Sequence, residues 1–408
     1  MIVLFIHPSA PAQYRHLVKA HADRGDRVYF ICREVVERTE GVEYLSYQHP
    51  RPPKTDAYNR LSLNFQLATQ YGERVASSCE ALKARGITPD VIHGHGGWGD
   101  LLYVKDVYPD VPLACYNEYY YHPTGLDLGF DPEFDPVFLE TKTLQARNAS
   151  IAITALRADV NLTPTPWQKS VLPPALAANT RVLHEGIDTR EAQPDEHAVF
   201  QVPGTALQLR KTDQVITYVS RSLEAYRGFP TFMRSLPAVL AANPRAQVLI
   251  VGAENTTYGG TLSAGTSYKQ LLLSELSGRI DLSRVHFCGS IPRQAFIQLL
   301  QVSSAHVYLS YPLFISWSCL EALASSCLVI GSKTGPVMDV IQDRHNGLLV
   351  DFFSPDELSE TLNEVLRKPK AFQPIRKKAR QSIVKRFDLH QRCLPEWLAL
   401  SGTLAKLS

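Results

Sequence analysis

The chain has 408 residues, 45% apolar and 20% charged, which is enough to bury two sizeable cores and excludes a disordered protein. Its 42 basic and 40 acidic residues leave a formal net charge of +2, without the basic excess of a nucleic-acid binder. Seven cysteines, odd in number and without a CxxC pair, speak against a disulfide framework or a zinc site and fit a reducing, cytoplasmic setting.

The opening Ile2–Phe5 run stops at His7-Pro8, far short of a signal segment or membrane span, and reads as a first buried strand. Further strand-like runs follow at Val28–Cys32, Val91–His93, Leu113–Tyr116 and Arg181–Leu183. Helical stretches at Tyr14–Ala22, Leu61–Arg85 and Leu139–Asp159 separate them, the alternation expected of βαβ units around a parallel sheet. The pattern lapses near Ile187, and residues 191–213 carry no clear period, so they are expected to connect two domains. It restarts with strands at Val215–Val219, Val248–Val251, Val285–Phe287, Val307–Leu309 and Leu328–Ile330, with helices at Phe232–Ala242, Ser267–Ser277, Arg293–Val302 and Ser318–Ala324. The expected architecture is α/β, with two Rossmann-like doubly wound domains, 1–190 and 214–370, facing each other across a cleft. A helical tail, 371–408, is expected to pack back on the first domain.

In such sheets ligands bind beyond the carboxyl ends of strands, so the loops there carry the search for chemistry. After the strand ending at Val219, Arg221 and Arg227 stand six residues apart around a turn that Gly228 permits. Two planar, permanently charged guanidiniums suit a diphosphate, and the helix starting near Pro230 adds its positive end. The plain alternative is a pair of surface charges neutralised by Glu224. Further on, Glu321 sits one turn into a helix that follows a strand, where a carboxylate accepts the hydroxyls of a ribose. The amides of Ile315, Ser316 and Trp317 at that helix start could meet phosphate or sugar. Alternatively, Glu321 is a solvated helix carboxylate.

The first half offers a second candidate region. His93-Gly-His95-Gly96-Gly97-Trp-Gly-Asp100 follows a strand, and its small residues let backbone amides approach a ligand closely. Histidines at alternate positions raise the question of a metal. Ring nitrogens expected to face opposite ways, with no third ligand nearby in sequence, argue against zinc and for a substrate-lining loop. Asp100 could be a helix-start carboxylate. Tyr116-Asn-Glu118-Tyr119-Tyr120-Tyr121 ends another strand, its rings suited to sugar stacking or to core packing.

Leu223-Glu-Ala-Tyr-Arg-Gly-Phe229 and Ser316–Ser332, in this order and spacing, resemble the retaining family 4 glycosyltransferases of GT-B fold. The likeness is strongest to a bacterial subgroup with "LEPYRGF" and "SWSxLEAMASGC" stretches. It extends to His95–Asp100, Asn117–Tyr121, Gly129–Glu133, Thr163–Trp167, His184–Asp188 and Asn346–Asp351. The resemblance implies transfer of a sugar, with retention and without metal or other cofactor, from a UDP- or GDP-sugar to a glycan, lipid-linked or small-molecule hydroxyl. It places Arg221 and Arg227 on the donor diphosphate and Glu321 on the ribose. Gly252 falls near the phosphates, and Gly289 and Ile291 on the strand and turn facing the base. Glu118 would lie close to the donor sugar, orienting a hydroxyl or stabilising positive charge at the anomeric carbon. His95, Gly96, Gly97, Tyr119 and Tyr120 fall on the acceptor side. The chain departs from the family at Leu313, where a carboxylate usually touches the donor sugar.

A non-hydrolysing nucleotide-sugar epimerase of the same fold, or a degenerate nucleotide-sugar binder, are the rival readings. A basic cluster, Arg367 to Arg386, is expected as a solvated helix face or as a peripheral contact with anionic lipid at the inner membrane face.

Overall fold

The computed structural model describes residues 1–49, 61–134, 141–259, 262 and 265–407. The chain divides into two compact units: Met1–Pro123, Phe138–Gly186 and Leu389–Ser408 form the first, and Thr124–Val137 and Ile187–Asp388 the second.

In the first unit, β1 (Ile2–Ile6), β3 (Arg27–Cys32), β5 (Val42–Ser46), β6 (Val91–His95), β7 (Leu113–Tyr116), β8 (Val160–Thr163) and β9 (Thr180–Val182) make one parallel sheet, in the order β5-β3-β1-β6-β7-β8-β9. A two-residue bridge pairs β2 (Ser9–Ala10) with β4 (Glu34–Val35). The helices are α1 (Arg15–Asp23), α2 (Leu63–Ala84), α3 (Val104–Val107), α4 (Thr141–Arg157), α5 (Pro166–Ser170), α6 (Pro174–Ala178) and, from the chain's end, α14 (Leu394–Leu404). The strand β1 is apolar throughout because both of its faces are covered. Val3 and Phe5 pack with Leu17 and Val18 of α1 and Trp397 and Leu400 of α14, whereas Leu4 and Ile6 pack with Val75, Cys79 and Leu82 of α2.

The second unit opens with a hairpin, β10 (Val199–Gln201) and β11 (Gln208–Arg210). Six parallel strands follow: β12 (Val215–Ser222), β13 (Gln247–Ala253), β14 (Val285–Gly289), β15 (Ala305–Tyr308), β16 (Val329–Ser332) and β17 (Leu348–Val350), ordered β14-β13-β12-β15-β16-β17. The helices are α7 (Phe229–Ala242), α8 (Tyr268–Glu275), α9 (Arg293–Val302), α10 (Trp317–Ala324), α11 (Gly335–Met338), α12 (Pro355–Arg367) and α13 (Gln373–Phe387). Part of the first half of the sequence belongs here. Phe130 sets its ring 4.9 Å from Tyr311, 5.2 Å from Phe352 and 5.0 Å from Phe353, and Glu133 pairs with Arg234.

Several sequence expectations need correcting. Residues 191–213 are no bare connection, because Phe200 and Leu209 of their hairpin are buried in the same core as α9, α10 and α13. The strands β5, β8 and β17 were not foreseen. The tail divides differently: α13 belongs to the second unit and only residues from Leu389 belong to the first. Residues 139–140 of the expected helix and Ser408 of the tail lie outside the described residues. Of the basic cluster, Arg367, Lys368, Lys370, Lys377, Lys378 and Lys385 are exposed, as on a solvated helix face, whereas three arginines bond to backbone carbonyls. Arg376 donates to the carbonyl of Ser304, Arg380 to those of Thr189, Ala192 and Ala324, and Arg386 to that of Asp339. No helix among the described residues is long and apolar enough to cross a membrane.

Candidate functional site

Each parallel sheet reverses its strand order once, and the crevice outside the strand ends at that point is where open α/β sheets take ligands. In the second unit the reversal lies between β12 and β15. A single 3₁₀ turn, Ala225–Arg227, follows β12, and Gly228 then adopts φ 63° before α7 starts. A Cβ there would lie 2.3 Å from Leu309 Cβ, so the close approach of the two loops demands glycine.

That turn buries Arg227 to 6% exposure. Its Nη1 donates to Ser310 Oγ at 2.8 Å and Tyr308 Oη at 3.3 Å, and its guanidinium lies 5.1 and 5.3 Å from the ring centres of Tyr258 and Phe314. Burial works against its charge, yet Tyr308 and Tyr258 hold its pKa above the usual arginine value. Among the described residues Arg227 has no carboxylate partner. Arg221, at the end of β12, is exposed and likewise makes no ion pair among them. The two arginines therefore differ sharply in environment. Neither pairs with Glu224, contrary to the plain alternative: that carboxylate is fully buried and accepts the backbone N–H groups of Thr257, Tyr258 and Gly259 at 3.1, 3.1 and 3.0 Å.

Glu321 is not a solvated helix carboxylate. It is 7% exposed, and its Oε1 lies 2.6 Å from Arg293 Nη1. The amide of Ser316, expected to face a ligand, donates to Tyr308 Oη at 2.9 Å. Ile315 is buried, and Trp317 and Ile291 pack against the core of the unit. Leu313, where the resemblance leads one to expect a carboxylate, is buried. At Gly252 a Cβ would meet Leu223 at 2.8 Å, whereas at Gly289, with φ 60°, it would meet open space.

In the first unit the reversal falls between β1 and β6, and His7 and His95 lie there with ring centres 5.5 Å apart. Gly97 N–H donates to His95 Nδ1 at 3.0 Å, so the ring proton sits on Nε2, which reaches Glu118 Oε2 at 3.1 Å. Burial pushes the Glu118 carboxyl up, and hydrogen bonds from His95 and Gln13 outweigh it, holding the pKa below the usual value. Burial drives His7 down to about 3, so it is a neutral ring at physiological pH. His93 and His95 do not face opposite ways. Side chains two apart on a strand share a face, and both rings lie with Phe5, His7, Tyr14, Tyr116 and Trp397 on that side. His93 is consumed by a hydrogen bond to Ser401 of α14. Asp100 caps no helix, being fully buried against the Tyr47 hydroxyl. A Cβ at Gly96 would lie 2.4 Å from Asn117 Oδ1, which explains that glycine by packing. The tyrosine run follows the alternate-ring pattern: Tyr119 is buried and meets Tyr121 at 5.2 Å, and Tyr120 meets His122 at 5.9 Å.

Sequence reasoning missed the shell of Arg227, namely Tyr258, Tyr308 and Ser310, and the role of His7 and Gln13 beside Glu118. Tyr308 and Ser310 flank a strand end and were findable there. Tyr258 comes from a loop whose composition carries no signal.

Comparison with known proteins supplies the family. Residues 24–192 match the glycosyl transferase family 4 group, and residues 205–382 match the glycosyl transferases group 1. D-inositol 3-phosphate glycosyltransferase of Corynebacterium jeikeium is 24% identical over 187 residues, 46% of this chain but only 43% of that protein's length. Sucrose-phosphate synthase from Thermosynechococcus elongatus superposes over the whole of both chains with a TM-score of 0.70 at 17% identity. Anabaena HepE, solved with UDP-glucose, does so over 100% of this chain and 98% of its own with a TM-score of 0.65 at 15% identity. Together the two matched segments leave out only residues 1–23, 193–204 and 383–408, and on both of them the chain is a family 4 glycosyltransferase, of the GT-B type with two parallel-sheet α/β domains.

Proposed function

We propose that the chain moves a sugar from a nucleoside-diphosphate donor to a hydroxyl acceptor, with retention of anomeric configuration and without a metal ion. The observation that carries this reading is the buried Arg227 guanidinium, fixed at a strand-order reversal with no carboxylate among the described residues to neutralise it. An uncompensated, preorganised positive charge there stabilises a departing diphosphate, the task a divalent ion performs in other transferases. Arg221 adds a second, solvent-accessible charge at the end of the same strand. Glu321, held by Arg293, is assigned to the ribose hydroxyls. The leaving diphosphate itself takes the acceptor's proton, so no protein nucleophile is required. In the first unit, the ionised Glu118 presented by His95 accepts a hydrogen bond from a sugar hydroxyl, whereas the amides of Gly96 and Gly97 already donate to Tyr116 and His95. The UDP-glucose bound by the structurally similar HepE supports a sugar-nucleotide donor.

The test is calorimetric titration with UDP, GDP and ADP in excess chelator, followed by turnover of the matching nucleotide sugars with a native acceptor pool. The anomeric proton coupling of the product, read by NMR, reports stereochemistry. Binding under chelator and a retained anomer support the reading. An inverted product, or binding that needs a divalent ion, overturns it, and epimers formed without acceptor would favour the epimerase.

A further inference from the structure

Glu224 and Arg227 stand three residues apart on one turn, both buried and of opposite charge. In so low a dielectric an ion pair would be the default, and it would cancel the positive charge that the proposed diphosphate site requires. The fold prevents this by giving the carboxylate another partner. Three successive backbone N–H groups, from Thr257, Tyr258 and Gly259, converge on Glu224 Oε2. Such a nest of amides is itself an anion-binding device, here filled by the protein's own carboxylate. Its second consequence concerns the loop after β13. Tying Tyr258 N–H to Glu224 fixes the loop that carries the Tyr258 ring, whose centre lies 5.1 Å from the Arg227 guanidinium.

We infer that Glu224 is a positioning residue for the donor site, acting through Tyr258, which it holds against Arg227 as a wall of the diphosphate pocket. The inference rests on the proposed function, since it concerns the same anion site. Glu224 touches no substrate. It keeps its own charge away from Arg227 and orders the loop, and Tyr258 in turn orients the guanidinium toward the anion.

The experiment is a double-mutant cycle on nucleoside-diphosphate affinity, with UDP and GDP as probes, in the full chain. Glu224→Ala and Tyr258→Ala are each expected to weaken binding on the order of ten-fold. The double variant is expected to be no weaker than either alone, because both changes release the same contact. Tyr258→Phe keeps the ring and is expected to retain most of the affinity. Glu224→Gln, which keeps one acceptor oxygen, is expected to fall between wild type and Glu224→Ala, and it keeps the test alive should the alanine variant fail to fold. Hydrogen exchange at 257–259 should accelerate in step with the affinity loss. Additive losses, or faster exchange with unchanged affinity, would show Glu224 to be a structural staple only and overturn the inference. If wild type binds none of UDP, GDP and ADP, the proposed function itself fails. If wild type binds and both single variants bind as well, only the inference fails.

Discussion

Arg293 bridges two carboxylates, reaching Glu321 Oε1 through Nη1 at 2.6 Å and gripping Glu191 through Nε at 3.0 Å and Nη2 at 2.7 Å. The residue assigned to the ribose is thus already oriented before any ligand arrives, by the first residue of α9. Orientation of this kind cuts the ordering cost of binding. Glu321→Gln is expected to weaken nucleoside-diphosphate binding about ten-fold, near 1.4 kcal/mol, and Arg293→Ala by a few-fold. Inorganic pyrophosphate, which has no ribose, should bind both variants as it binds wild type. Equal losses for pyrophosphate and nucleotide in calorimetry would place Glu321 away from the ribose.

At Arg227 the outcome depends on replacing fork geometry as well as charge. The guanidinium spends one nitrogen on Ser310 and Tyr308, leaving its remaining donors for an anion. Arg227→Ala is expected to cost about 3 kcal/mol in diphosphate affinity, as for a charge-assisted contact in a buried setting. Arg227→Lys keeps the charge but not the fork and is expected to recover roughly half of that. Equal, small effects of the two substitutions would count against the assignment.

The alternation of buried strands and helices was legible because β1, β12 and β13 are apolar on both faces, as parallel strands covered by helices must be. The strand β5 was not, since its VEYLS sequence lies at a sheet edge and is only partly buried. The hairpin of β10 and β11 hid for a similar reason: its strands are three residues long, and Gln201, Gln208 and Arg210 beside the buried Phe200 and Leu209 are exposed and polar, which reads as linker. In the site, Arg227 was legible because charge, glycine and strand end coincide within a few residues. Its separation from Glu224 was not, because the partner amides come from residues 257–259 and backbone groups leave no mark in a sequence. The inward bonding of Arg376, Arg380 and Arg386 was hidden for the same reason, their partners being carbonyl oxygens.

Three histidines set an acid limit on stability. Burial lowers His7, His93 and His306 to about 3 each, whereas in the unfolded chain they titrate near 6.5. Between those values the unfolded state takes up protons that the folded state refuses, so stability falls as pH drops below about 6.5. Each histidine contributes about 1.4 kcal/mol per pH unit, and together they remove about 4 kcal/mol per unit near pH 5. The carboxylate of Asp26, with its pKa lowered to about 2, titrates below this window and leaves the slope unchanged. Denaturant unfolding at pH 7, 6 and 5 measures the slope, and His306→Gln should reduce it by one proton's share. A stability independent of pH over that range would show that these rings are not held neutral by the fold.

Gly228 lets two costs be separated. At φ 63° an alanine pays the left-handed backbone penalty, about 1 kcal/mol, and its Cβ would in addition lie 2.3 Å from Leu309 Cβ. Gly204, in the hairpin at φ 73°, has nothing within 4 Å of the same position, so Gly204→Ala suffers the backbone term alone. Thermal or denaturant unfolding should therefore show a loss of about 1 kcal/mol for Gly204→Ala and about 3 kcal/mol for Gly228→Ala. Relief of the contact requires the turn carrying Arg227 to move away from the end of β15 and the loop after it, which carry Tyr308 and Ser310, so Gly228→Ala should also weaken diphosphate binding, whereas Gly204→Ala should not. Equal stability losses at the two glycines, with binding intact in both, would mean that the two loops yield freely and that the Arg227 pocket is not fixed by their approach.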